Sequence, residues 1–173
     1  MRLDLRDIIH IPGTSRDFAY ELDLSQVSLY GEKPFDHPIR VTGCVRNMAG
    51  ALQLEGRAVS ELDTRCDRCL KPITVELDVP VATLLAEVLE DEESDEIVLL
   101  ENGTADLDEI FSTACILALD GKHLCAETCK GFCGTCGADL NQGPCGCKKE
   151  LDPRFAVLAE LLDKGSTESD EET

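Results

Sequence analysis

Apolar and polar residues alternate with period two through much of the first half of the chain, the pattern of strands with one wet face. Phe18, Tyr20, Leu22 and Leu24 alternate with polar neighbours and predict a strand over 17–24. Ile39, Val41, Gly43 and Val45 alternate with Arg40, Thr42, Cys44 and Arg46. Asn47-Met48-Ala49-Gly50 reads as a turn. Leu52, Leu54, Gly56, Ala58 and Leu62 then share one face, opposite Gln53, Glu55, Arg57, Glu61 and Asp63. Beyond Cys66–Pro72 the pattern returns in Ile73, Val75, Leu77, Val79 and Val81. Short connections favour an antiparallel meander, and long twisted strands curl toward a half-barrel. Ahead of these lies an apolar lead-in (Leu3, Leu5, Ile8, Ile9, Ile11) that stops at Pro12-Gly13, and 31–38 reads as a loop.

The period changes after residue 90. Six acids within 90–96 predict a solvated loop, and Ile97–Leu100 a further short strand. Asp106 has the character of an N-cap, with Glu109 three residues on. Leu107, Ile110, Phe111, Ala114, Leu117 and Ala118 follow at helical spacing. They predict an amphipathic helix over 107–119 that covers the sheet and ends at Asp120-Gly121. Asp152-Pro153 predicts the start of a short terminal helix with Phe155, Leu158, Leu161 and Leu162 as its apolar stripe. The fold class is α+β. The expected divisions are a β domain with its helix over 1–121, a Cys-rich segment with the terminal helix over 122–163, and an acidic disordered tail over 164–173.

Charge narrows the function. Among 173 residues, 35 acidic side chains oppose 16 basic ones, a formal charge of −19. Long-range repulsion keeps such a chain from approaching bare nucleic acid uniformly, so any contact is local or passes through a basic protein. The charged start lacks the apolar run of a signal peptide, and no apolar stretch reaches the ~20 residues of a membrane span. The expectation is a cytoplasmic protein with no membrane partner.

Ten cysteines in such a chain point to metal before disulfides, and six of them fall in 125–147. Cys133 and Cys136 form a CxxC followed by Gly137, a tight turn that presents two thiolates to one ion. Cys145-Gly146-Cys147 can supply the other half. Zinc takes four tetrahedral ligands, and soft thiolate suits it. Cys125, Cys129, Cys133, Cys136, Cys145 and Cys147 offer six candidates for four places around one structural zinc. The favoured set is Cys129 or Cys125 with Cys133, Cys136 and one of Cys145 and Cys147. The alternative is Cys133, Cys136, Cys145 and Cys147. His123 is a weaker ligand candidate. The segment cannot fold on hydrophobic burial alone, since it holds five glycines and few large apolar groups. Lys122, Lys130, Lys148 and Lys149 make it a mildly basic island.

A second CxxC, Cys66 and Cys69, lies between two strands, where no helix dipole activates a thiol for thioredoxin-like chemistry. A CxxC by itself says little, and metal binding, redox pairing and packing all stay open for it. Arg65, Arg68 and Lys71 surround it, and two readings stand. They pair with Glu61, Asp63 and Asp67 across the strands, or, with Lys130, they contact a partner. No GxSxG, Walker loop or HExxH is present, and the three histidines are far apart in sequence, so a non-enzymatic binding factor is expected.

The order of motifs carries a resemblance. Arg65-Cys-Asp-Arg-Cys-Leu-Lys-Pro72 is followed by an acidic run, a helix, Leu124-Cys-Ala-Glu-Thr-Cys-Lys-Gly-Phe-Cys-Gly-Thr-Cys-Gly-Ala-Asp-Leu-Asn141, Cys145-Gly-Cys147 and Asp152-Pro-Arg154. Over roughly 20–163 the chain resembles the YceD family of large ribosomal RNA subunit accumulation proteins. Where many relatives have Glu-Xaa-Leu-Leu-Leu in the helix, this chain has Ser112-Thr113-Ala114-Cys115-Ile116-Leu117. The resemblance implies a role in 23S rRNA accumulation and large-subunit biogenesis. The expected partner is a basic ribosomal protein or an rRNA precursor, with no small-molecule substrate. The competing expectation is a thiol-based redox- or metal-responsive regulator.

Overall fold

A computed structural model describes residues 1–29, 31–88 and 97–147. Among the described residues, seven strands and one helix run in the order β1 (Arg2–Asp4), β2 (Ser15–Leu22), β3 (Ile39–Met48), β4 (Ala51–Arg65), β5 (Pro72–Ala86), β6 (Ile97–Leu99), β7 (Thr104–Asp106) and α1 (Leu107–Leu117). The predicted acidic loop, terminal helix and tail, with Lys148 and Lys149, lie outside the described residues. The chain divides into one compact unit, Met1–Cys129, and a second that begins at Lys130.

The predicted meander is present in β2 to β5, each strand antiparallel to the next. The sheet is mixed, however, because β6 adds to β5 in parallel, pairing Leu84 with Ile97 and Ala86 with Leu99. A parallel pairing needs a longer connection than a tight hairpin provides, and ten residues of sequence separate Ala86 from Ile97. The sheet is open, with β2 and β6 as its edges. β3 and β4 join through Ala49 and Gly50, at φ 57° and 103°. Positive φ at both positions is the two-residue hairpin geometry that matches strand twist.

Alternation sets which face is buried. Ile39, Val41 and Val45 of β3 face the same core as Leu52, Leu54, Ala58 and Leu62 of β4 and Leu77, Val79 and Leu85 of β5. The apolar lead-in joins that core. Leu3 lies on β1, which pairs with β7, and Leu5 and Ile8 are buried beyond it. Asn47, read from sequence as part of a turn, is buried and clips the lead-in to the sheet. Its Nδ2 donates to the carbonyls of Ile8 (2.8 Å) and Ile9 (2.6 Å), and its Oδ1 accepts from Gly50 N–H (2.8 Å). A buried amide tolerates its surroundings only when its groups are paired in this way.

Asp106 caps α1, accepting from the N–H groups of Asp108 and Glu109. Leu107, Phe111 and Cys115, four residues apart, are the buried residues of the helix, while Leu117 is 80% exposed. Phe111 packs edge-on against Phe18, with ring centroids 5.9 Å apart. Gly43 and Gly56, paired across β3 and β4, leave the space that the two rings fill. A Cβ on Gly43 would lie 2.5 Å from Phe18 Cζ and 2.5 Å from the Glu55 carbonyl oxygen, and one on Gly56 would lie 2.7 Å from Phe111 Cζ. Gly43→Ala should therefore destabilise the protein by about 3 kcal/mol, the upper end for overpacking, because backbone as well as ring must move. Urea unfolding of the variant beside the wild type measures this, and an unchanged midpoint would show the sheet yields freely there.

Candidate metal centres

Eight of the ten cysteines gather into two groups of four. Cys66, Cys69, Cys125 and Cys129 form one, and Cys133, Cys136, Cys145 and Cys147 form the other. Within each group the four sulfurs all lie within 4.8 Å of one another, so each group could hold a metal ion. The first lies wholly in the unit Met1–Cys129, the second wholly in the unit that begins at Lys130. Cys44, on β3, and Cys115, inside α1, belong to neither, and burial pushes the Cys115 thiol up to about 11.

The first group sits where the β4–β5 hairpin meets the segment that leaves α1. Cys66, Cys69 and Cys129 are buried, with Leu124 packed against them, and Cys125 is exposed. The Sγ of Cys66 lies 3.8 Å from that of Cys129, and Cys69 Sγ lies 3.6 Å from Cys125 Sγ. Both are far beyond the roughly 2.05 Å of a disulfide. They match the edge of a tetrahedron with metal–sulfur bonds of about 2.3 Å, which is about 3.8 Å. Four thiolates spread around a multi-iron cluster stand farther apart than four around one ion.

Hydrogen bonds hold the two halves of this group together. Arg68 Nη1 donates to the carbonyls of Cys129 (2.6 Å) and Glu127 (3.2 Å). Asp67 accepts from His123 N–H at its carboxylate (2.5 Å) and donates its own N–H to the His123 carbonyl (2.9 Å). His123, a weaker ligand candidate from sequence, serves here through its backbone.

The two CxxC turns share one backbone design. Cys66 N–H donates to the Lys71 carbonyl (2.9 Å), and Cys133 N–H donates to that of Ala138 (2.8 Å), five residues on in each case. Leu70 N–H donates to the Cys66 carbonyl (2.8 Å), and Gly137 N–H to that of Cys133 (2.9 Å), four residues back in each. The residue after the second cysteine is left-handed in both, with φ 55° at Leu70 and 72° at Gly137. Glycine adopts that conformation without penalty, whereas a side chain there costs about 1–2 kcal/mol.

The first sulfur of each turn faces backbone donors. The N–H of Cys125, with those of Arg68 and Cys69, outweighs burial and lowers the Cys66 thiol to about 6. The N–H groups of Cys136 and Thr135 do the same for Cys133, also to about 6. The neighbouring sulfurs oppose ionisation elsewhere. Cys129 and then Cys69 push Cys125 up to about 12, and Cys136 pushes Cys147 up to about 12. Thiolates hold a cation and thiols do not, so metal binding at either group would release protons.

In the second group Phe132 and Asp139 bridge across the turn, and Lys130 N–H donates to Asn141 Oδ1 (2.8 Å). Cys133, Cys136, Cys145 and Cys147, grouped here, are the alternative set of the sequence analysis, while Cys125 and Cys129 group with Cys66 and Cys69. Cys66 and Cys69 were outside the expected ligand set. The signal that pairs them was numerical. Four of the six C-terminal cysteines suffice for one ion, which leaves Cys125 and Cys129 as a pair in want of another pair.

Beside the first group, a groove of about 1030 Å³ runs between residues 28–29 and 32–34, the end of β4 and the end of α1. Leu29, Leu70, Ile116, Leu117 and Leu119 give it apolar walls, and Glu32, Asp63, Asp67 and Asp120 give it acids against Lys33 and Arg65. Asp63 also pairs with His37 at 3.0 Å. Of the side chains expected to meet a partner, Arg65 lines this groove, while Arg68 is turned to the carbonyls of the cysteine segment. Lys71 lies in the β4–β5 turn, just before β5, and Lys130 lies in the second unit.

An open β-sheet protein with cysteines grouped in fours, able to hold metal, is the class these features define. The chain belongs to the YceD family: the family model, described as large ribosomal RNA subunit accumulation protein YceD, matches residues 54–162. Membership suggests a role in the accumulation of large-subunit ribosomal RNA. Proteins of Mycobacterium bovis and Mycobacterium tuberculosis, each described as uncharacterized, are 26% identical over 163 residues, covering 92% of this chain and 73% of theirs. One from Mycobacterium leprae, described the same way, is 25% identical and covers 72% of this chain and 59% of its own length. No solved structure matches the chain. Among the described residues, no helix is long and apolar enough to cross a membrane.

Proposed function

We propose that this chain is a cytoplasmic, non-enzymatic factor that supports 23S rRNA accumulation by binding a basic ribosomal protein of the large subunit. The observation that carries the reading is the groove beside the first cysteine group, with its apolar walls and its four acids. An extended basic segment has the complementary chemistry. Its aliphatic stems lie along leucines while its charged heads meet carboxylates. The overall charge of −19 attracts such a partner from a distance and repels bare RNA. Arg65, Lys71 and Lys130 supply local positive charge for phosphate in an assembling particle. A structural zinc at Cys133, Cys136, Cys145 and Cys147 holds the second unit in shape, since four thiolates leave no open position for chemistry. Thiols grouped in fours favour metal over redox pairing in this reading.

Purified large-subunit ribosomal proteins and a 23S rRNA fragment, each titrated by fluorescence anisotropy at low and high salt, test the proposal. A salt-sensitive complex with a ribosomal protein is expected. The double change Glu32→Lys and Asp120→Lys should weaken it by about tenfold or more at low salt, or about 1.4 kcal/mol. Tight binding to the bare RNA fragment, with no ribosomal protein bound, would replace the protein partner by the rRNA precursor.

A further inference from the structure

We infer that Cys66, Cys69, Cys125 and Cys129 form a second structural metal site, of the tetrathiolate zinc type, distinct from the one at Cys133–Cys147. Three independent observations converge on it. The sulfur separations of 3.6 and 3.8 Å are those of ligands around one tetrahedral ion. The Cys66–Leu70 turn repeats, bond for bond, the backbone of the Cys133–Gly137 turn. Arg68 and Asp67 hydrogen-bond the turn that carries Cys66 and Cys69 to the segment that carries Cys125 and Cys129.

Leu70 makes the argument sharper. It holds the left-handed conformation that glycine holds in the other turn, and its side chain is 57% exposed. Packing therefore gives little reason for the strain. The Cys66 carbonyl fixes the Leu70 N–H and the Lys71 carbonyl fixes the Cys66 N–H, so the turn is set by what its two sulfurs must do. A bound ion supplies the reason. It ties the tip of the β4–β5 hairpin to the segment that follows α1, and Arg68 and Asp67 position that segment from outside. The site is part of the β-sheet unit, and its existence does not depend on which partner the protein binds.

Metal analysis of the full chain, purified without chelator, should find two zinc ions per chain. Cys125→Ser, the exposed member and the least disruptive to change, should leave one. Cys133→Ser should also leave one, and the double variant none. After exchange into cobalt(II), the thiolate-to-cobalt charge-transfer absorption per chain should fall by half in each single variant. If Cys125→Ser proves insoluble, stoichiometric titration of the metal-free wild type with cobalt(II) decides the matter, with two equivalents expected. Leu70→Gly should keep both ions and melt no lower than wild type, as expected of a turn that requires the left-handed form. One ion per chain in the wild type, retained in Cys125→Ser, or saturation at one equivalent of cobalt(II), would overturn the site.

Discussion

Phe111→Ala is expected to destabilise the protein by about 3–5 kcal/mol, a large part of the roughly 5–15 kcal/mol that holds an ordinary domain together. Phe111 is fully buried, and its ring touches Phe18 edge-on at 5.9 Å while occupying the space above Gly56. Alanine would leave a ring-sized void whose floor is backbone. That floor cannot collapse inward, because Gly56 is locked to Gly43 in the β3–β4 ladder and to Val81 in β5. The lost contacts come from strands far apart in sequence, so the effect should appear as a lower midpoint of one cooperative transition. A fall of about 10 °C in Tm is the corresponding scale for a chain of this size. Phe111→Leu, which keeps most of the volume, should cost about 1.5 kcal/mol. A double-mutant cycle with Phe18→Leu should give a coupling of about 0.5–1.5 kcal/mol for the ring pair. Independence of the two changes would mean that the rings contribute volume alone.

The second large effect concerns metal. On removal of zinc by a thiol-competing chelator, the Lys130–Cys147 segment is expected to lose its ordered structure while the β-sheet unit keeps its own. No large apolar side chain in 130–147 is buried, and Phe132 is 41% exposed. What remains without an ion is a handful of turn hydrogen bonds, such as Leu140 N–H to the Gly131 carbonyl (2.9 Å). These do not offset the conformational entropy of the segment. Amide protection at Cys133, Gly137 and Leu140 should therefore vanish. Protection at Val41, Leu54 and Val79, in the large apolar core, should persist. Acid should act in the same direction as the chelator. Thiolates bind the ion and thiols do not, so falling pH converts ligands into competitors for their own protons. The N–H groups of Cys136 and Thr135 lower Cys133 to about 6, so its own proton uptake adds to the competition below that value and release should steepen there. Protection in 133–140 that survives both treatments would mean that some other force holds the turn.

Much of the sheet was legible because alternation is a local signal. Val41, Leu54 and Val79 are separated along the chain, yet each announces its own strand and its own face. Asp106 likewise marked the start of α1, since a cap acts within one turn of backbone. Parallel addition of β6 left no such trace. Ile97–Leu99 reads as a strand in either direction, and only its place against Leu84–Ala86 fixes the direction. Leu117 marks a further limit. Helical spacing assigned it to the apolar stripe, but α1 presents Leu107, Phe111 and Cys115 to the core and leaves Leu117 exposed beside the groove.

The cysteines divide along the same line. Sequence alone determined that this chain has the alternating strands of a β-sheet, an acid-capped helix and a cysteine-rich segment that apolar burial cannot fold. Each of these follows from residues close together, whose spacing is itself the physical cause. Tertiary structure decided which sulfurs meet. Cys66 and Cys129 are 63 positions apart, and their approach to 3.8 Å depends on where the β4–β5 hairpin ends and where α1 releases the chain. No spacing rule encodes that distance, because it is set by the lengths and packing of the elements between them.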